Sequence, residues 1–263
     1  MSRGARPSPL IVVVAIIALA FLVLPLAALA IRAPWADLPA LLTSEPVLQA
    51  LGLSLLTGVI STLACLVLGI PLAALLAHST GMPRRLLRAA ITVPLVLPPV
   101  VGGIALLLLL GRRGLLGQFL AEVGLGIPYT TGAVVIAQTF VAMPFLVFAV
   151  EGALGAADRR TEAAAATLGA NRWQVFRLVT VPLVAPGIAA GAVLCFTRAL
   201  GEFGATITFA GSLPGVTRTL PIASYLALQS DPEAAIALAL LLLVVSIVVL
   251  VTLRDRWLPG VRT

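Results

Sequence analysis

The chain contains no lysine; all seventeen of its basic residues are arginine. A phosphate-cradling loop of the form G-x-x-x-x-G-K-[ST] needs that lysine for the β- and γ-phosphates, so a conventional ATP site is excluded. One histidine and two cysteines leave no H-E-x-x-H helix and no C-x-x-C pair, which removes the common zinc and dithiol chemistries. Cys65 and Cys195 fall inside apolar runs, where small buried residues are expected and a disulfide is not. Charge is scarce too. Only 10% of the 263 residues are charged, against 60% hydrophobic and a mean hydropathy of +1.14. That balance suits a chain that crosses a membrane several times, because no aqueous core needs so much apolar surface. The net charge of +7 invites a nucleic-acid partner. Yet the arginines sit in short turns between apolar runs, a distribution that orients a membrane protein and argues against nucleic acid.

What is present is a series of long apolar runs. Six spans are predicted, at about 10–31, 51–77, 89–111, 131–150, 182–211 and 234–253, each long enough for a hydrocarbon core of about 30 Å. The expected fold class is all-α: one polytopic membrane domain of six transmembrane helices over 1–263, with a polar, helix-forming loop between helices four and five. The first run exceeds the apolar region of a cleaved signal peptide and five more follow, so it is read as a retained helix. The second is uncharged from residue 47, and its early part is an interfacial lead-in. Pro94, Pro98 and Pro99 near the start of the third suggest an interior, pathway-lining helix, since neighbours must satisfy the freed carbonyls. In the fourth, Gln138, Thr139 and Pro144 serve equally as interhelical glue or pathway lining. His78 has no second histidine to accompany it and is read as a polar loop residue. Pro214-Gly215 signals a turn, and 220–229 suits a short surface helix.

If both termini share a side, that side carries Arg3, Arg6, Arg84, Arg85, Arg88, Arg159, Arg160, Arg172, Arg177, Arg254, Arg256 and Arg262, twelve in all. The other side carries four, Arg32, Arg112, Arg113 and Arg218, with Arg198 inside the fifth span. The positive-inside rule then places both termini, and the loop between spans four and five, in the cytoplasm.

That loop begins a polar island, E-A-A-A-A-T-L-G-A-N-R-W-Q-V-F-R-L-V-T-V-P-L-V-A-P-G over 162–187. Helix-forming alanines give way to Gly169-Ala170-Asn171, then to an amphipathic run, then to prolines that restart a membrane helix. An interfacial helix on the inner leaflet has this character, and so does a docking loop. The stretch resembles the E-A-A loop of ABC-transporter permeases, E-A-A, three residues, G, nine residues, I-x-L-P. From Gly169, nine residues lead to Val179-Thr180-Val181-Pro182. The start departs from the pattern, because Glu162 lies seven residues before Gly169 and Ala163, Ala164 and Ala165 occupy the E-A-A positions. The resemblance implies a coupling helix seated in a separate ATPase subunit, with Glu162, Ala163, Ala164, Gly169, Arg172, Trp173 and Pro182 as the coupling residues.

Arg198 and Glu202 lie four apart in the fifth span. Isolated charges there cost at least about 2.5 to 3.5 kcal/mol, so they must pair or face a polar cavity. A structural ion pair and a cation beside an oxyanion path fit equally. Thr206 and Thr208 add hydroxyls suited to helix packing or to a pathway wall. Here A-L-G-E-F-G-A-T-I-T-F-A-G, followed by G-V-T-R-T-L-P-I, and the earlier P-L-V-L-P-P-V-V-G-G-I-A, are similar to the molybdate ABC-transporter permeases. Sulfate permeases share much of the G-E-F-G region. The resemblance implies a homodimer of this subunit, two ABC ATPase subunits that hold ATP and Mg, and an extracytoplasmic molybdate-binding protein. It implies no cofactor and no catalysis in this chain. Sulfate, thiosulfate or tungstate import is the alternative, and a membrane scaffold or sensor is the alternative from another class. An intramembrane hydrolase is disfavoured, since no nucleophile has a base and no metal ligands pair.

Overall fold

The computed structural model describes residues 8–157 and 159–257, apart from the side chains at 159, 162, 172, 250 and 252–257. Among the described residues the chain forms thirteen α-helices and no strand. Five are long and apolar enough to cross a membrane, and a bent pair makes six. The all-α architecture expected from hydropathy is therefore what the chain adopts.

Helix α1 (Pro9–Ile31) starts at a Ser8 cap and ends where the Trp35 indole N–H donates to Ala30 O at 3.0 Å; none of its residues is buried. After a short α2 (Leu38–Leu42) comes α3 (Glu45–His78), 34 residues or about 50 Å at 1.5 Å per residue. The stretch before residue 51, expected as an interfacial lead-in, is helical and continuous with the span, and Ala50 in it packs against Leu220 and Leu238.

The third crossing is not the single interior helix expected at 89–111. It is two helices, α4 (Gly81–Val96) and α5 (Pro99–Leu110), meeting at 112°. Leu97 precedes Pro98 and takes an extended ψ of 138°, while Pro99 opens α5 at its first turn. Proline disfavours helical conformation in the residue before it, yet tolerates the start of a helix, so the chain bends where three constraints coincide. Val96, Val100, Ile104 and Leu108 on this pair are exposed in the single protomer.

A short α6 (Gly117–Glu122) leads to α7 (Thr131–Ala156), the central helix. One cluster joins it through Leu146, Val147 and Val150 to Cys65 and Ala73 of α3, Ile91 of α4, and Cys195 and Ala199 further along the chain. Cys65 and Cys195 are buried and free, as their apolar context predicts.

The chain then forms α8 (Arg159–Thr167), α9 (Arg172–Val175), a π-helical turn (Phe176–Thr180) and α10 (Val181–Leu200). The last three run together as a span from Trp173 to Leu200. The fifth crossing thus begins before the prolines, which do not restart it. It also ends at Leu200, not Gly211, and a separate α11 (Gly204–Ala210) follows the break at 201–203. Finally α12 (Leu220–Ser230) and α13 (Pro232–Trp257) form a packed hairpin. The short helix expected at 220–229 forms as α12, with Leu220 and Ile222 wholly buried at its start and Tyr225 and Leu228 exposed.

Half-length helices α5 and α11 lie against each other at a glycine. A Cβ on Gly103 would stand 2.7 Å from Thr208 Cβ and 2.8 Å from Ala205 O, which only a missing side chain permits. Gly103→Val is expected to lower stability by about 1 to 3 kcal/mol through overpacking. Gly52→Ala, where nothing lies within 4 Å, is expected to be neutral or stabilising. Thermal unfolding of both variants in detergent checks this, and equal melting temperatures would refute the close-packing argument.

Candidate functional site

The polar island folds as two helices around Gly169. The alanine run makes α8, and its end closes with Gly169 N–H donating to Ala166 O at 3.0 Å and Ala170 N–H donating to Ala165 O at 3.2 Å. This crossed pair is a Schellman stop, which needs a left-handed residue after the helix. Gly169 has φ +88°, and nothing lies within 4 Å of where its Cβ would be. Backbone conformation, not internal crowding, therefore calls for glycine here.

Asn171 then opens α9 with a reciprocal cap. Gln174 N–H donates to Asn171 Oδ1 at 2.9 Å, and Asn171 N–H donates to Gln174 Oε1 at 2.8 Å. The Gly-Ala-Asn triplet is thus a stop and a start placed back to back. Trp173 and Phe176 stack at 5.8 Å, while Leu168 and Trp173 remain 89% and 65% exposed. Ala163 and Ala164 are exposed as well. The side chains of Glu162 and Arg172 lie outside the described residues. Pro182 sits in the first turn of α10, directly after the π turn. It cannot donate to Leu178 O, and the longer turn, with Val181 N–H reaching Phe176 O, carries the helix past that missing bond.

The four candidate pathway residues gather at the α10–α11 joint. Arg198 Nη1 lies 2.6 Å from Glu202 Oε2, with side-chain exposures of 26% and 1%. The other carboxylate oxygen, Oε1, accepts the Ala205 N–H at 2.8 Å. One acid thus pairs a membrane-embedded cation and satisfies a free donor of the new helix. Thr206 is buried and its hydroxyl has no partner. Thr208 is half-buried and donates to Gly204 O at 2.8 Å.

Sequence reasoning missed a second charged cluster. Glu151 near the end of α7 is 8% exposed, and its Oε1 accepts from Arg84 Nη2 at 3.1 Å and from Arg88 Nη1 at 3.2 Å. Arg88 also stands 5.4 Å from the centre of the Phe148 ring. The partners are 67 and 63 residues apart in sequence; the only local signal was a lone acid at the edge of an apolar span. In the middle of α7, Ser61 Oγ lies 3.0 Å from Gln138 Oε1, which ties α3 to α7 and favours the glue reading for Gln138. Thr139 makes no hydrogen bond through its buried hydroxyl. Among the described residues, no three His, Cys, Asp or Glu side chains are grouped to hold a metal.

The broken apolar helices and the stop-start loop define the class. Residues 69–259 match the family of binding-protein-dependent transport system inner membrane components, and the chain belongs to that family. It is a multi-pass inner-membrane transport subunit, not an enzyme. A relative in Mycobacterium tuberculosis, molybdenum transport system permease protein ModB, is 51% identical over 249 residues, covering 95% of this chain and 94% of the relative. The sulfate transport system permease protein CysT of Escherichia coli is 35% identical over 243 residues, covering 90% and 88%. Among solved structures, a bacterial ABC transporter involved in import of the acidic polysaccharide alginate superposes with a TM-score of 0.75 at 18% identity, covering 96% of this chain and 95% of that one.

Two predictions follow from the geometry. Arg198→Gln leaves Glu202 charged and enclosed, and is expected to cost about 3 to 5 kcal/mol. R198Q/E202Q keeps the cap acceptor and recovers most of that loss. A double-mutant cycle on thermal stability measures the coupling, and additive effects would refute it. At Gly169, Asn is expected to preserve slow amide exchange at Ala170 while Val accelerates it, at a strain of about 1 to 3 kcal/mol. Equal exchange in the two variants would show that φ is not the constraint.

Proposed function

We propose that this chain is the permease subunit of an ATP-driven importer of molybdate. Two copies would enclose the path, two ATPase subunits would hold ATP and Mg on the cytoplasmic side, and an extracytoplasmic binding protein would deliver the oxyanion. The observation that carries the coupling role is the helix stop at Gly169, which presents α8 and the exposed Leu168 and Trp173 beside a rigid span starting at Trp173. The choice of molybdate rests on the 51% identity to a molybdenum transport permease, against 35% to a sulfate permease.

Twelve of the seventeen arginines on one side support cytoplasmic termini and a cytoplasmic α8. The exposed apolar face of α4 and α5 supports a path formed between two copies. Of the candidate pathway residues, Arg198 keeps exposed surface and would face the path, while enclosed Glu202 positions it and Thr208 packs on Gly103 of α5. Closure of the ATPase pair would draw the two α8 helices together. The Trp173–Leu200 rods would turn with them, a shift between two states driven by contacts that differ between them.

Labelled molybdate and sulfate uptake in a deletion strain complemented with this chain tests the substrate. Molybdate accumulation is expected, and sulfate uptake without molybdate uptake would overturn it. Gly169→Asp is expected to abolish co-purification of the ATPase subunit. Stoichiometric binding that persists after deletion of residues 163–172 would refute docking through this loop.

A further inference from the structure

The groove between α4 and α7 carries two chemistries in series. At the end shared with α8, a cavity of about 390 Å³ is lined by Arg84, Arg88, Phe148, Glu151 and His78. Further along, an apolar groove of about 640 Å³ is lined by Leu87, Ala90, Ile91 and Pro94 of α4 and by Phe140 and Met143 of α7, among others. Arg84, Arg88 and Ile91 follow each other at four- and three-residue steps, and so do Phe140, Pro144, Phe148 and Glu151. Each series keeps to one helix face, so the two openings, which share no lining residue, lie in line along a furrow at the α4–α7 seam, with α3 and α5 walling the apolar one. The eleven helical rises from Phe140 to Glu151 span about 16 Å, close to half of a hydrocarbon core of about 30 Å.

Charge marks the end near α8. Two guanidiniums converge on one carboxylate oxygen of Glu151, which leaves one positive charge in excess among the described residues of the cluster. Arg84 and Arg88 are 45% and 52% exposed, so each keeps N–H donors beyond the one spent on Glu151. Phe148 under Arg88 and Glu151 between both fix the guanidiniums in place, which suits phosphate recognition. The other end offers hydrocarbon contact and, from Thr139, one enclosed hydroxyl.

We propose that this furrow binds an anionic phospholipid, its phosphate on Arg84 and Arg88 and one acyl chain laid along Ile91 toward Phe140. The assignment to the inner leaflet rests on the orientation given under the proposed function; the site itself does not depend on the substrate. A free oxyanion would use the cationic cavity alone, and a zwitterionic lipid would gain little from the net positive charge.

The test is native mass spectrometry of the full chain released from nanodiscs of phosphatidylcholine with a minority of phosphatidylglycerol. Wild type is expected to retain phosphatidylglycerol selectively. R84Q/R88Q/E151Q, which removes the cluster without stranding a buried charge, is expected to lower that selectivity about tenfold. Ala90 is exposed and borders the groove, so A90W is expected to reduce retention of either lipid without disturbing the core. Added inorganic phosphate is expected to displace none. Equal retention of the two lipids by wild type overturns the proposal, as does phosphate displacement with A90W silent. A crosslink between copies through Ala90→Cys, with no lipid retained, would assign the furrow to a second copy. None of these readouts uses transport, so a failed molybdate assay and a failed lipid assay remain distinguishable.

Discussion

A peptide group inside a bilayer has no water to bond, and the architecture follows from how this chain meets that constraint while interrupting its helices. Two breaks and one distortion matter most. At Leu97–Pro98 the proline ends one helix and opens the next, while Leu97 N–H still reaches Val93 O and Gly102 N–H reaches Pro98 O. At Phe176–Thr180 a π turn carries the ladder past a proline that cannot donate. At 201–203 the carboxylate of Glu202 supplies the acceptor that the new helix needs. Each device supplies backbone hydrogen bonds at the interruption and changes the direction or pitch of the chain. The two breaks create the half-length α5 and α11 that meet at Gly103.

The ionic side chains share this economy. Glu202 compensates Arg198 with one oxygen and caps α11 with the other, so removing Glu202 would expose two deficits at once, an unpaired Arg198 and an uncapped α11. Glu151 does comparable work at the other end, tying the start of α4 to the end of α7 through two arginines. His78 borders both the Glu151 cavity and a second one lined by Ala166, Ala170 and Phe176. The α4–α7 clamp and the α8 segment are therefore neighbours. In the proposed assembly, force applied at α8 meets a braced helix pair on one side and the continuous Trp173–Leu200 rod on the other.

Local requirements were the legible ones. Gly169 stands out because a Schellman stop demands a left-handed residue within one turn of chain; the start signal of Asn171 with Gln174 is just as local, three residues apart, yet only the structure revealed it. The spacing from Gly169 to Pro182 is likewise local, and it led to the right family. The spans at each end of the chain followed from unbroken apolar length. The fifth crossing did not, because prolines that read as a restart are absorbed by the π turn, and the G-E-F-G stretch that read as continuous helix is a capped break.

Hydropathy and arginine placement by themselves determined a polytopic all-α membrane chain with a polar loop after its fourth span, since solvent transfer acts on each residue wherever its neighbours are. The tertiary structure alone decided which charges meet. Arg84, Arg88 and Glu151 come from distant segments, and only the packing of α4 on α7 brings them to one carboxylate oxygen. It also decided that Thr206 is enclosed. These outcomes depend on close approach between helices, a quantity set by contacts between segments and not by any one segment's composition.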